Sequence, residues 1–161
     1  MIEIIRTEQQ HVSALKSMLF RVWHQTYAPF LGEQRVDHLT EMWHQPAKLA
    51  QETADGACAT FVALDGGEVI GHVLAADEGE GHIHLMRLYL DVAYHGQGVG
   101  DRLLDAALSA FPNGKCVTLE VYEANLRAVS FYKRRGFVFR EKLRDEFASD
   151  ELYEFRMWRA L

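Results

Sequence analysis

Gly96, Gly98 and Gly100 stand at every second position of the segment YHGQGVGDRLLDAAL, between a β-rich run and an amphipathic helical pattern. A strand that passes through such a loop into a helix leaves the first helical N–H groups unpaired, pointing outward at the positive end of the helix dipole. Phosphate suits that place, because the missing side chains let an anion come close to the backbone. A connection in which the glycines only turn the chain remains the plainer alternative. The unit also requires a fold in which sheet and helix are packed together.

The flanking segments say which kind of sheet. ATFVAL and EVIGHVLAA are joined by DGG, a hairpin signal, and HIHLMRLYL follows after DEGEG, so residues 59–90 read as an antiparallel meander. Before it, IEIIR predicts a first strand, and Thr7 followed by Gln10 has capping-box spacing for a helix. Val12, Leu15, Leu19, Val22 and Thr26 carry that helix through Tyr27 to Pro29 and Gly32, which are expected to stop it. A second helix covers about Glu33 to Trp43, and Pro46 interrupts the chain before AKLAQETAD. After the loop, a helix over about Gly98 to Ala110 turns Val99, Leu103 and Ala107 inward, with Asp101, Arg102, Asp105 and Ser109 outward. CVTLEVY predicts a strand and NLRAVSFYKRR a helix with Asn125 as N-cap and Gly136 at C′. FVFREKL and LYEFRMWRAL predict two further strands.

Two phosphate-binding readings compete. A Rossmann dinucleotide site needs Gly-x-Gly-x-x-Gly and an acidic residue about twenty positions later, which Glu120 superficially supplies. Its third glycine arrives one residue early, at Gly100, and Asp101 stands where glycine is required. Three antiparallel strands precede the loop, whereas a doubly wound sheet needs repeated βαβ units, so this reading ranks second.

The segment LYLDVAYHGQGVGDRLLDAAL, together with NLRAVSFYKRRGF, closely resembles the GCN5-related N-acetyltransferase (GNAT) superfamily. The family's pyrophosphate motif, Arg/Gln-x-x-Gly-x-Gly/Ala, is matched by His95, Gly96, Gln97, Gly98, Val99 and Gly100. His95 departs from the usual Arg or Gln. The later signature, Asn-x-x-Ala-x-x-Phe-Tyr-x-x-x-Gly-Phe, is matched at Asn125, Ala128, Phe131, Tyr132, Gly136 and Phe137. The resemblance implies an α/β (α+β) fold: a mixed, mostly antiparallel sheet of about seven strands flanked by helices, with a splay between the fourth and fifth. It implies a single N-acetyltransferase domain over 1–161, with acetyl-CoA as cosubstrate. Pantetheine amides would bond the backbone of Leu88, Tyr89 and Leu90 like an added strand, and the diphosphate would lie on N–H groups from Gln97 to Asp101.

Acetyl transfer from a thioester to an amine needs a neutral amine, a donor for the oxyanion and a proton for the departing thiolate. By family position Tyr132 protonates the sulfur; as a plain helix aromatic it would belong to the core. Asn125 caps its helix in either case and, by the resemblance, also meets the cofactor. The Leu90 N–H is the expected oxyanion donor. His84 lies eleven residues before His95, where histone-acetylating members carry a catalytic Glu and arylalkylamine-acetylating members a His. Alternation puts His82, His84 and Met86 on one face, so His84 is either the base or an ordinary polar residue near a hairpin, with Glu120 in reserve. An unperturbed His, with a pKa of about 6.5, suits an α-amino group near 8 better than an alkylamine near 10.4. That favours peptide N-termini, amino acids or arylamines, with polyamines still open. Trp23 and Tyr27 either shape the acceptor pocket or are core aromatics. Lys133, Arg134 and Arg135 complement a helix C-terminus, and one of them could meet the adenosine phosphate.

Composition sets the remaining bounds. At 161 residues and 48% hydrophobic the chain reads as one globular domain. A net charge of −6 argues against nucleic acid as partner. No run of eighteen apolar residues and no signal-peptide core occurs, so a cytoplasmic protein with no membrane partner is expected. Cys58 and Cys116 read as buried thiols, and the histidines show no metal-ligand pattern, so no metal is expected. The partner is an amine acceptor, small molecule or peptide; a homodimer stays open. An acyl-CoA-binding sensor of the same fold, without turnover, is the alternative from a different functional class.

Overall fold

The computed structural model describes residues 1–145 and 152–161. The predicted meander forms β2 (Cys58–Asp65), β3 (Glu68–Asp77) and β4 (His82–Leu90), each antiparallel to the last, and β1 (Ile2–Arg6) adds antiparallel to β2. β5 (Cys116–Tyr122) then joins β4 in parallel, and the closing strands β6 (Val138–Arg144) and β7 (Tyr153–Ala160) complete a seven-stranded sheet of order β1-β2-β3-β4-β5-β7-β6. One parallel contact in an otherwise antiparallel sheet excludes the doubly wound alternative.

Helices cover both faces. On one lie α1 (Val12–Leu31), α2 (Glu33–Trp43) and α3 (Pro46–Ala54), with Leu15, Met18, Leu19, Val22 and Leu49 packed on Val62 and Val69. On the other lie α4 (Val99–Ser109) and α5 (Leu126–Arg134), whose Leu103, Leu104, Ala107, Val129 and Tyr132 join Val73, Ile83, Leu85, Leu119 and Met157 in the main core. The expected division of α4 holds, with Val99, Leu103 and Ala107 buried and Arg102, Asp105 and Ser109 exposed.

Three local expectations are corrected. The capping box at Thr7 does not form. Pairing of β1 with β2 runs one step further, so the Thr7 N–H donates to the Thr60 carbonyl at 3.0 Å and the Thr60 hydroxyl donates to Thr7 Oγ1 at 2.9 Å. The turn before α1 is instead tied by the Glu8 N–H donating to His11 Nδ1 at 2.9 Å. Pro29 does not stop α1: it lies in the last turn, where its missing N–H frees only the Gln25 carbonyl, and the helix ends at Gly32. Cys58 and Cys116 are free thiols but half-buried rather than buried.

A fourth difference matters for the site. The β3–β4 register passes from Leu74↔Arg87 to Ala75↔Leu85, which leaves Met86 as an extra residue in β4. Alternation is therefore interrupted. Ile83 and Leu85 share the main core with Leu88 and Leu90, while Arg87 and Tyr89 turn to the α1–α3 face. The face expected to carry His82, His84 and Met86 thus continues through Arg87 and Tyr89.

Candidate active site

β4 and β5 pair at only three positions: His82↔Cys116, Ile83↔Val117 and His84↔Thr118. Beyond His84 the two strands separate, β4 remaining on β3 as far as Leu90 and β5 on β7 as far as Tyr122. The backbone edges facing each other across this opening have no ladder partner, and buried main-chain groups require one. A cavity of about 880 Å3 runs through the gap, reaching from the glycine loop to the α1–α2 side. It borders every residue given a catalytic, cofactor-binding or acceptor role in the sequence except Gln97, whose side-chain amide folds back to donate to the Ala93 carbonyl at 3.2 Å.

The loop end is made of backbone. Gly96 and Gly98 both have φ of +76°, a conformation in which an L side chain is strained, and a Cβ on either would meet no protein atom within 4 Å. The space above them is open for a ligand. Gly98 is the N-cap of α4 and has no side chain to satisfy the first N–H groups of the helix. Gly100 differs, since a Cβ there would make ordinary contact with the Phe131 ring at 3.6 Å. The loop therefore offers open donors to a diphosphate, and Arg127 and Arg134 of α5 border the same cavity. Arg135 is engaged elsewhere, with Asp101 at 3.0 Å and with Asp105. His95 folds inward: its Nε2–H donates to the Leu90 carbonyl at 3.0 Å, while Nδ1 is buried without a hydrogen-bond partner among the described residues. Burial lowers its pKa, so the ring is neutral. One acceptor of β4, the Leu90 carbonyl, is thereby already used.

The far end is made of side chains. His84 Nε2 lies 2.7 Å from Glu120 Oε2, and its Nδ1 lies 3.3 Å from Glu78, which also approaches His82 Nδ1 at 3.4 Å. Arg156 of β7 holds the other Glu120 oxygen at 3.2 Å and also pairs with Glu141. The Glu120 hydrogen bond, with smaller help from Glu78, raises the His84 pKa against the opposing effect of burial. Glu120 is lowered by the same His84 contact and by Arg156. The two sequence candidates for the base are thus one hydrogen-bonded pair.

Tyr132 sits between these ends. Its ring is 8% exposed and packs edge-on to Phe131 and Phe137, as a core aromatic would. Tyr132 nevertheless lines the cavity, its hydroxyl makes no hydrogen bond among the described residues, and burial raises its pKa well above the usual phenol value. Asn125 caps α5 as expected, its side chain accepting from the Ala128 N–H at 3.2 Å. Trp23 and Tyr27 are likewise both buried and cavity-lining: they stack with Tyr89 and, through Tyr27, with Tyr122, in a cluster of aromatic rings under the α1–α2 side.

A family model described as the acetyltransferase (GNAT) family matches residues 19–137. The chain belongs to the GNAT family. Among curated GNAT relatives, the peptidyl-lysine N-acetyltransferase YjaB of Salmonella typhimurium is 37% identical over 45% of this chain and 45% of its own. The spermine/spermidine N(1)-acetyltransferase of Bacillus subtilis is 33% identical over 42% of this chain and 46% of its own. These alignments span less than half the length of the relatives. In fold the chain is similar to the PaiA N-acetyltransferase of Thermoplasma acidophilum, solved in complex with coenzyme A, with a TM-score of 0.89, 21% identity and coverage of 100% and 99% of the two chains. Among the described residues no helix is long and apolar enough to cross a membrane, and no group of His, Cys, Asp or Glu is placed to hold a metal ion.

Sequence reasoning missed Glu78, Arg127 and Glu154. Arg127 lies inside the quoted GNAT signature at a variable position, so only its place on α5 gives it meaning. Glu154 alternates with Tyr153 and Phe155 in the last strand, a pattern that says which face it shares but not that the face opens into a cavity.

Proposed function

We propose that this protein transfers an acetyl group from acetyl-CoA directly to a primary amine, of a small molecule or a peptide N-terminus, with both substrates bound together. The observation that carries the proposal is the opening between β4 and β5, with open N–H donors at one end and the Tyr132 hydroxyl and the His84–Glu120 pair farther in. Acetyl-CoA supplies an activated acyl thioester. The N–H groups around Gly98 to Asp101 would hold its diphosphate, and the unpaired edge of β4 near Leu88 to Leu90 its pantetheine amides. Tyr132, whose raised pKa keeps its proton at neutral pH, stands to donate to the leaving sulfur. His84, when neutral, takes the proton of the incoming ammonium, with Glu120 orienting the ring and stabilising the imidazolium that results. The raised His84 pKa removes the basis for preferring weakly basic acceptors, because the base is better matched to alkylamines than an unperturbed imidazole. The amine-directed names of the Salmonella and Bacillus relatives agree with this acceptor class.

Free-thiol release from acetyl-CoA across a panel of primary amines, alongside acetyl-CoA binding by calorimetry, tests the proposal. Turnover with at least one amine class is expected; binding of acetyl-CoA with silence across the panel would instead favour a sensor.

A further inference from the structure

We propose that Glu154 selects the acceptor: its carboxylate binds a second cationic group, so that the substrate is a small di- or polyamine rather than a monoamine. The inference rests on the acetyltransferase reading above and adds the acceptor class to it.

Among the described residues, three acidic side chains border the cavity: Asp101, Glu120 and Glu154. Asp101 is paired with Arg135, and Glu120 with His84 and Arg156. The Glu154 carboxylate has no hydrogen bond or ion pair among the described residues. It projects from β7 opposite Tyr122, which lies two positions after Glu120 on β5, so the three share one face. The rise of a strand places Glu154 roughly 7 Å along the sheet from the Glu120 row. A cation held there would sit one short spacer from an amine at the His84–Glu120 pair.

Cations border the cavity in two places, Lys48 and the Glu52-paired Arg87 on the α1–α3 side and two arginines of α5 near the loop. Arg127 and Arg134 border it on α5, with Arg127 close enough to His95 to influence its titration, so the loop end is basic. Glu154 itself lies across the β5–β7 ladder from Tyr122 and within electrostatic reach of Glu120 on β5, Asp145 after β6 and Tyr89 on β4; the cation on its own strand, Arg156, is committed to Glu120 and Glu141. Burial, then Asp145 and Glu120, raise the Glu154 carboxyl to about 7. A half-buried carboxyl among like charges and without a counterion is stabilised by any cation brought to it. Tyr27, Tyr89 and Tyr122 line the same cavity and pack together. Aromatic ring faces favour methylenes and ammonium groups, whereas a peptide amide set against a ring face would go without its hydrogen bonds.

Thiol release by wild type and Glu154→Gln is compared for α,ω-diamines and alkyl monoamines of matched length. Wild type is expected to prefer diamines in kcat/KM by roughly tenfold to a hundredfold, the scale of one charge-assisted contact. Glu154→Gln should collapse that preference through KM, and Glu154→Asp should restore part of it. The wild-type diamine KM should rise as pH falls through about 7, where Glu154 gains a proton; in Glu154→Gln that step should vanish. Equal use of diamines and monoamines by wild type, an equal effect of the substitution on both, or better use of peptides with a basic second residue would overturn the proposal. Calorimetric titration of a diamine into the CoA-bound protein reads the same contact without turnover. Diamine binding that is lost in Glu154→Gln supports the Glu154 assignment even where catalysis is silent, and binding that is indifferent to the substitution rejects it.

Discussion

The two ends of the cavity are built on different principles. The loop end is assembled from consecutive residues and offers mainly backbone, Gly96 and Gly98 leaving N–H groups open at the start of α4. The acceptor end is assembled from side chains on α1, β4, β5 and β7, which meet only because the sheet brings them together. A contact made by the main chain depends on conformation and tolerates few residue types; one made by side chains can be altered one residue at a time. One end can thus hold a constant cosubstrate while the other adapts to different acceptors.

That division is open to direct attack. The largest effect is expected from Tyr132→Phe, which removes the proposed proton donor without disturbing the ring contacts to Phe131 and Phe137. Turnover should fall by about a hundredfold or more while acetyl-CoA affinity stays within about threefold; an unchanged kcat in single-turnover assays would strip Tyr132 of its role. Next comes Gly98→Val, which forces a β-branched side chain into left-handed backbone and into the open space above the loop. Acetyl-CoA binding by calorimetry should weaken by about a hundredfold, from roughly 3 kcal/mol of strain and lost contact. If binding survives, the diphosphate is held elsewhere.

A subtler probe separates the members of the base pair. If His84 is the base, as proposed, it acts in its neutral form, and because Glu120 is the largest cause of its raised pKa, kcat/KM should fall on the acid side with a midpoint above the ordinary histidine value. Glu120→Gln should move that midpoint to lower pH, and an unmoved limb in the pH–rate profile would assign it to another group. The smallest effect concerns stability away from the cavity's chemistry. His72 and His44 are buried, and desolvation lowers both to about 3 from an unfolded value near 6.5. The unfolded chain therefore binds protons that the folded one does not, and stability is full above about 6.5 and is lost progressively down to about 3. Urea unfolding should show a loss of about 2 kcal/mol per histidine between pH 7 and 5, with a shallower slope in His72→Leu.

Legibility in the sequence follows the same division. Gly96, Gly98, the Asn125 cap and the DGG hairpin were readable because each is specified by residues close in sequence. So was the sheet of seven strands, since each run carries its own periodicity. Thr7 shows the limit: its spacing to Gln10 promised a cap, but Thr60, far away in sequence, offered a better partner. The pairing of His84 with Glu120 was not readable, although both residues were singled out, because it depends on the parallel register of β4 and β5. Glu78 gave no signal and Glu154 only its face in the last strand, the rest of their meaning coming from what lies across the sheet.

The additional residue at Met86 makes β4 a ribbon with two phases, His84 belonging to the first and Tyr89 to the second. Straightening the ribbon with every residue kept would turn half of it over, burying Arg87 among aliphatic neighbours and setting Leu88 beside the acceptor side, whereas deleting one residue together with the bulge would leave both halves facing as they do. The irregular step at Met86 is therefore what lets one strand carry His84 and Tyr89 on a common side despite the odd spacing between them.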